Sequence, residues 1–292
     1  MPSTFFTASP HWQWLIIAYF FLGGLAGGSY FLATVLDLVD RDRRLVQLGY
    51  LLAFPLVSLC GLVLTADLGR PERFWHMLIQ SETFHPMIKT YSPMSLGAWA
   101  LLCFGGCAFL SFVAVLAERG WLHLAALRRL TSRTPLGRLV TAVGALLGLY
   151  VAGYTGVLLA VTNRPIWADT PLLGITFLIS AASTSAALLI LLGAWCRASG
   201  DAIHALERFD ASVLVLELLV IVALVASLGR IATVWLNGWG VMLAVMVLGG
   251  IALPLMLRLW RRPVVPWLGP VLILAGGLLL RTVVVLSVDR MS

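Results

Sequence analysis

Eight apolar stretches of about twenty residues follow one another along the sequence, at 13–36, 45–66, 94–117, 139–161, 171–195, 210–228, 239–257 and 266–287. Each is long enough to cross roughly 30 Å of hydrocarbon as a helix. A barrel is excluded, because segments of this length without dyad alternation do not suit β-strands. Only 11% of the 292 residues are charged, against about a quarter in a soluble domain. The expected fold class is therefore an all-α integral membrane protein, with residues 1–292 forming one transmembrane domain and no soluble domain. The N-terminal "MPSTFFTASPHWQW" has no basic n-region and no small-residue cleavage site, so it reads as a tail before a retained first helix.

An even number of spans puts both termini on one side. That side carries Arg70, Arg73, Lys89, Arg164, Arg230 and Arg290, six cations. The other side carries thirteen, in clusters such as Arg41, Arg43 and Arg44 or Arg128, Arg129 and Arg133. The positive-inside rule makes the richer side cytoplasmic and places both termini outside, in the periplasm of a bacterial cytoplasmic (inner) membrane. The arginines sit between spans and show no basic–aromatic interleaving, which points to topology signals and away from nucleic acid.

Redox metal signatures are missing from the sequence. The four cysteines, Cys60, Cys103, Cys107 and Cys196, form no CxxC or CxxCH pattern. None of the five histidines falls in the middle of a span, which argues against axial ligation of a b-type haem. The expectation is no haem, no iron–sulfur cluster and no metal site in this protein.

Polar chemistry concentrates on the external side. "TADLGRPERFWHML" (Thr65 to Leu78) brings Asp67, Arg70, Glu72, Arg73 and His76 to the end of the second span. A plain reading is an Asp67–Arg70 ion pair closing a helix before Pro71. In the fourth span, Tyr154 lies about two turns from the external end among Gly148, Gly153 and Gly156, where its phenol can donate to a carbonyl oxygen below the headgroups; helix packing is the simpler reading for Tyr150. Trp12, Trp14, Trp167, Trp235 and Trp239 suit an external aromatic belt.

Two ionisable residues lie inside spans, where they are costly and commonly functional. Glu217 sits about 12 Å from the cytoplasmic end of the sixth span, and Arg281 sits nearer the external end of the eighth. They pair with each other or with backbone carbonyls, or they serve a proton route. Their depths differ by about 10 Å, which strains direct pairing.

"DLGRPERFW" followed by "SPMSLGAWALL", then "GYTGVLLAVTNRPIW", "LLLRTVVVLS" and the glycine-rich first span after "HWQW", resemble the NrfD/polysulfide-reductase membrane-subunit family in the same order over essentially the whole sequence. The resemblance implies eight spans arranged as two four-helix bundles. It implies a quinone-reactive anchor of a respiratory complex, exchanging electrons between membrane quinone (menaquinone or ubiquinone) and a ferredoxin-like, multi-cluster iron–sulfur subunit on the periplasmic side. Such complexes are completed by a molybdopterin catalytic subunit. By position in the motifs, Tyr154 matches the family's quinone-contacting tyrosine, Asp67 and Arg70 its DLGRP motif, and Arg281 its helix-eight arginine. Asp67 and Tyr154 are then the catalytic pair, with His11, Gln13, Arg70 and Arg281 around the quinone. His11 and Gln13 come slightly earlier than the polar residue that family members carry in the first helix. Asp67, Glu217 and Arg281 are the proton-pathway candidates, and the 67–93 loop is the expected docking surface. Two rival readings are a redox-linked proton or ion translocator and a purely structural anchor.

Overall fold

The computed structural model describes residues 14–80, 82–122, 130–162, 164, 166–259 and 266–288. Eight membrane-spanning segments are built from nine helices: α1 (Trp14–Leu38), α2 (Arg43–Asp67), α3 (Pro93–Glu118), α4 (Pro135–Ala160), α5 (Leu173–Trp195), α6 (Gly200–Leu228), α7 (Gly238–Val245) continuing into α8 (Leu253–Leu259), and α9 (Leu268–Leu286). No β-strand is present among the described residues. Length and apolar composition make this a multi-pass membrane protein.

Local sequence fixes the helix starts. Asp42 caps α2, Ser92 caps α3 ahead of Pro93, Thr134 caps α4 ahead of Pro135, and Ser199 caps α6; each side chain accepts from a backbone N–H of the first turn. The α6 cap places that helix start well before the apolar stretch. The polar segment from Gly200 to Phe209, expected to be loop, is instead helix continuous with the apolar span. At its other end α6 stops at Gly229, whose φ of 52° and ψ of −120° are open only to glycine. The seventh span carries a π-helical stretch, Met246–Ala252. Pro254 has no N–H to offer the Gly250 carbonyl one turn back, so the helix widens there.

Helices α1–α4 form a ring in which α1 touches α2 and α4, and α3 touches α2 and α4. Helices α5, α6, α7–α8 and α9 form a second four-membered bundle, and the two join where α1 and α4 lie on α5 and α1 meets α9. The expected two-bundle architecture is thus present. Helices α1 and α5 are central and buried around most of their circumference. Close approach at this core depends on missing side chains: a Cβ on Gly27 would overlap the Gly148 carbonyl of α4, and one on Gly28 would overlap Ser185 of α5. Gly250, in the π stretch, faces Gly276 of α9 in the same way.

The face reached by Trp14, Asp67, Pro93, Ala160, Leu173 and Leu286 is here termed the loop face. The far face is held by charge: Arg43 donates to Asp37 (2.8 Å), to Glu118 (2.6 and 2.7 Å) and to Ser132 (3.0 Å), tying α1, α2 and α3 to the segment before α4.

Candidate functional site

At the loop face, α2 ends at Asp67 and the backbone passes through a 3-10 turn, Pro71–Met77, in which the Trp75 and His76 rings stack at 3.8 Å. Next comes a tight reversal: Met87 N–H donates to Leu78 O (2.7 Å) and Gln80 N–H to His85 O (3.0 Å). Two side chains of "SPMSLGAW" pin this reversal to α3. The Ser95 hydroxyl and the Trp99 indole N–H both donate to Met87 O at 3.1 Å. The motif therefore holds the loop, and it leaves Phe74, Phe84, Ile88 and Tyr91 exposed.

Gly97 of the same motif faces α4. A Cβ there would overlap the Tyr154 ring and hydroxyl, so the phenol lies on bare backbone. Tyr154 is buried, its ring is 5.7 Å from Tyr150, and its hydroxyl has no hydrogen-bond partner among the described residues. Tyr19 of α1 is within electrostatic range of both Tyr154 and Cys60, and the Cys60 thiol donates to Tyr19 O at 3.6 Å. Helices α1, α3 and α4 thus meet around Tyr154 within about two turns of the loop face, with Cys60 of α2 bonded to the Tyr19 carbonyl. Asp67 and Arg70 lie at the rim, exposed. Neither side chain forms a hydrogen bond or ion pair with any described residue, so the plain reading of an Asp67–Arg70 pair is not what the structure contains.

The segment after Tyr154 is locked in place. Gly156 packs on the Leu173 carbonyl, and the Ile166 N–H donates to Asp169 at 3.0 Å. The Trp167 indole donates to Val284 O of α9 at 2.7 Å, and the Trp235 indole to Ser287 at 3.1 Å. These two tryptophans are buried, so they plug helix ends; the expected lipid-facing belt keeps the exposed Trp14.

Arg281 is fully buried at the seam between the bundles. It donates to Gly277 O (2.8 Å), Ser180 Oγ (3.3 Å) and Phe177 O (3.5 Å), and its guanidinium lies over the Phe21 and Phe177 rings at 5.6 and 5.2 Å. Glu217, 4% exposed, interacts with Ser180 and Ser183 and with the charge of Arg281. The structure therefore links Glu217 to Arg281 through α5 hydroxyls, while no described contact joins Asp67 to Arg281. An apolar cavity of about 130 Å³ lies nearby, between α1, α4, α5 and α6, lined by residues including Gly28, Phe31, Ala152, Leu178 and Leu216.

His11, Trp12 and Gln13 lie outside the described residues. Sequence reasoning missed Gly97, Ser180, Ser183 and Asp210. A signal existed for three of them: "ISAASTSAALL" sets small hydroxyls three apart inside an apolar helix, and Asp210 precedes Glu217 by seven residues on the same helix face.

A family model described as polysulphide reductase, NrfD, matches residues 3–289. Among curated relatives, the sequence is 29% identical to a component of the polysulfide reductase of Wolinella succinogenes, over 62% of this protein and 58% of that one. It is 26% identical to protein NrfD of Escherichia coli, over 65% of this protein and 61% of that one. A protein NrfD homolog of Haemophilus influenzae is 26% identical over 89% of this protein and 86% of its own length. The alignments thus span about three fifths of the first two relatives.

Proposed function

The protein belongs to the NrfD polysulphide reductase family, and from that premise we propose that it is the quinone-reactive membrane subunit of a respiratory oxidoreductase complex. It exchanges electrons between membrane quinone and an iron–sulfur subunit docked on the loop face. That face is periplasmic in a bacterial inner membrane, because the far face carries the excess of arginine. A molybdopterin subunit beyond the iron–sulfur subunit handles the terminal substrate. A relative named as part of a polysulfide reductase supports a place in a reductase complex.

One observation carries the reading. The Tyr154 hydroxyl lies against Gly97 with no hydrogen-bond partner among the described residues, about two turns below the rim where Asp67 also has none. A quinone headgroup needs a donor to a carbonyl oxygen and a titratable group that exchanges protons with it. Tyr154 supplies the first and Asp67 the second. Arg70, three residues on and likewise without a partner among the described residues, is the cation proposed to face the quinone at the rim. Tyr154 and Asp67 are the catalytic candidates, and the reaction balances as quinol giving quinone, two electrons and two protons, or the reverse. The electrons leave to metal centres in the partner. His11 and Gln13, which lie outside the described residues, join the proposed quinone set on the family resemblance alone, and Arg281 supplies a fixed positive charge at the bundle seam.

Docking is proposed on the 68–92 segment, whose exposed Phe74, Phe84, Ile88 and Tyr91 form an apolar and aromatic surface on a pinned loop. The testing experiment is quinol-dependent electron transfer in the purified complex, comparing wild type with Tyr154→Phe and Asp67→Asn, with co-purification of the partner as the assembly control. Activity falls in both variants with assembly intact if the reading holds. Full quinol activity in both variants overturns it and favours a structural anchor.

A further inference from the structure

Helices α1 and α5 end at the far face in the same way, and the turns that follow them are fastened to each other. Helix α5 closes with Ala198 N–H donating to Gly193 O at 3.0 Å and Arg197 N–H to Ala194 O at 3.4 Å. Helix α1 closes with Arg41 N–H donating to Leu36 O at 3.0 Å and Asp40 N–H to Asp37 O at 3.2 Å. This pair of bonds normally puts glycine at the left-handed position. After α5 an arginine takes it, with φ of 53°, so the helix end fixes where Arg197 stands. Across the seam between the bundles, the Ser199 N–H donates to Asp42 Oδ2, and Arg44 Nη1 donates to Arg197 O at 3.2 Å. The far ends of the two bundles are thereby joined, and the Arg44 guanidinium is held beside Arg197.

The two arginines that open α2 meet different fates. Arg43 turns inward to the carboxylates of Asp37 and Glu118. Arg44 meets no carboxylate, and the Arg197 carbonyl takes only one of its N–H donors. The side chains of Arg41 and Arg197 pair with no described residue, and all three arginines are exposed. The acids of these turns do not neutralise them. Asp42 is engaged by the backbone N–H groups of Arg44, at 2.9 Å, and of Ser199, while Asp40 and Asp201 are exposed and join no ion pair with a described residue. Cations held together without a counter-charge repel, and an anion between them removes that cost. Guanidinium groups match phosphate oxygens in a bidentate fork. The place is also where lipid headgroups lie, at the ends of three spans. Leu38 and Val39 precede Arg41, Trp195 precedes Arg197 by two residues, and all three are exposed. An indole and aliphatic side chains at a span end suit the headgroup level and the upper acyl chain of a lipid, and a soluble anion has no use for them. Basic pockets between spans are where anionic headgroups bind.

We propose that Arg44 and Arg197 bind the phosphate of an anionic phospholipid from the far-face leaflet, with Arg41 at the rim and Leu38, Val39 and Trp195 against its acyl chains. The lipid bridges the first bundle, through Arg44, to the second, through Arg197. An anionic headgroup is favoured because two arginines around one phosphate leave positive charge in excess, which the cationic group of a zwitterionic lipid opposes. The site needs only the membrane-spanning fold and is independent of the quinone reading.

The experiment titrates the whole complex, purified and delipidated in detergent, with phosphatidylglycerol and counts bound lipid by native mass spectrometry. Wild type is expected to take up a tightest-bound phosphatidylglycerol in preference to phosphatidylcholine. Arg44→Gln/Arg197→Gln should weaken that binding about thirtyfold, and Arg197→Gln alone about fivefold. The single variant removes no described side-chain hydrogen bond, so it reads the ligand site without loosening the junction. Arg133→Gln/Arg138→Gln takes two exposed arginines from elsewhere on the same face and should leave the binding unchanged. Undiminished binding in Arg197→Gln, or equal losses in the two double variants, overturns the site. Displacement of the phosphatidylglycerol by an equal concentration of inorganic phosphate overturns the lipid as its ligand in favour of a soluble anion.

Discussion

The phenol of Tyr154 rests on the bare backbone of Gly97, where any added Cβ would overlap the ring. Gly97→Ala forces the ring to move. Overpacking of this kind costs about 1–3 kcal/mol. Quinol-dependent electron transfer is expected to fall in Gly97→Ala even though no hydrogen-bonding group is removed, and thermal unfolding in detergent should show the modest loss of stability.

Arg281 binds two carbonyls and a hydroxyl at the bundle seam, and its charge faces Glu217. Arg281→Leu leaves a buried carboxyl without its counter-charge, at a cost of about 3–5 kcal/mol. The double variant Arg281→Leu/Glu217→Gln is expected to recover part of that loss. Denaturation of the four proteins of this cycle in detergent measures the coupling directly.

The far-face network separates stability from chemistry. Arg43→Ala removes donors to Asp37, Glu118 and Ser132, none of which is exposed, and is expected to destabilise by about 2 kcal/mol. Quinol turnover per assembled complex should be unchanged, because these residues lie at the opposite membrane face from Tyr154. Comparing specific activity with thermal midpoint distinguishes the two effects.

Trp167→Phe keeps an aromatic ring in the buried site and loses the bond to Val284 O. The expected cost is about 1 kcal/mol, with the fourth-to-fifth span connection loosened. Faster hydrogen exchange at residues 166–170 reports it.

The eight spans were readable because hydrocarbon thickness imposes a length that few other folds need. The start of α6 was not, since Gly200 to Phe209 has the mixed polarity of a loop and only the Ser199 cap marks it as helical. That Asp67 and Tyr154 both lie toward the loop-face ends of their helices followed from their places in the spans. Which face of α4 carries Tyr154, and that Gly97 receives it, depended on rotation of two helices about their axes, which apolar periodicity in a membrane does not specify. Glu217 and Arg281 form no direct ion pair among the described residues, in line with their different depths; Arg281 reaches back to Gly277 O and across to Ser180, following the lean of a helical side chain toward its own N-terminus.

The central claim, a quinone headgroup at Tyr154, is tested most directly by photolabelling the intact complex with an azidoquinone and sequencing the labelled peptides. We expect label on the segments around Gly97 and Tyr154, displaced by excess quinone and lost in Tyr154→Phe. Specific label confined to the residues lining the apolar cavity between α1, α4, α5 and α6, such as Phe31 and Leu178, would contradict the claim.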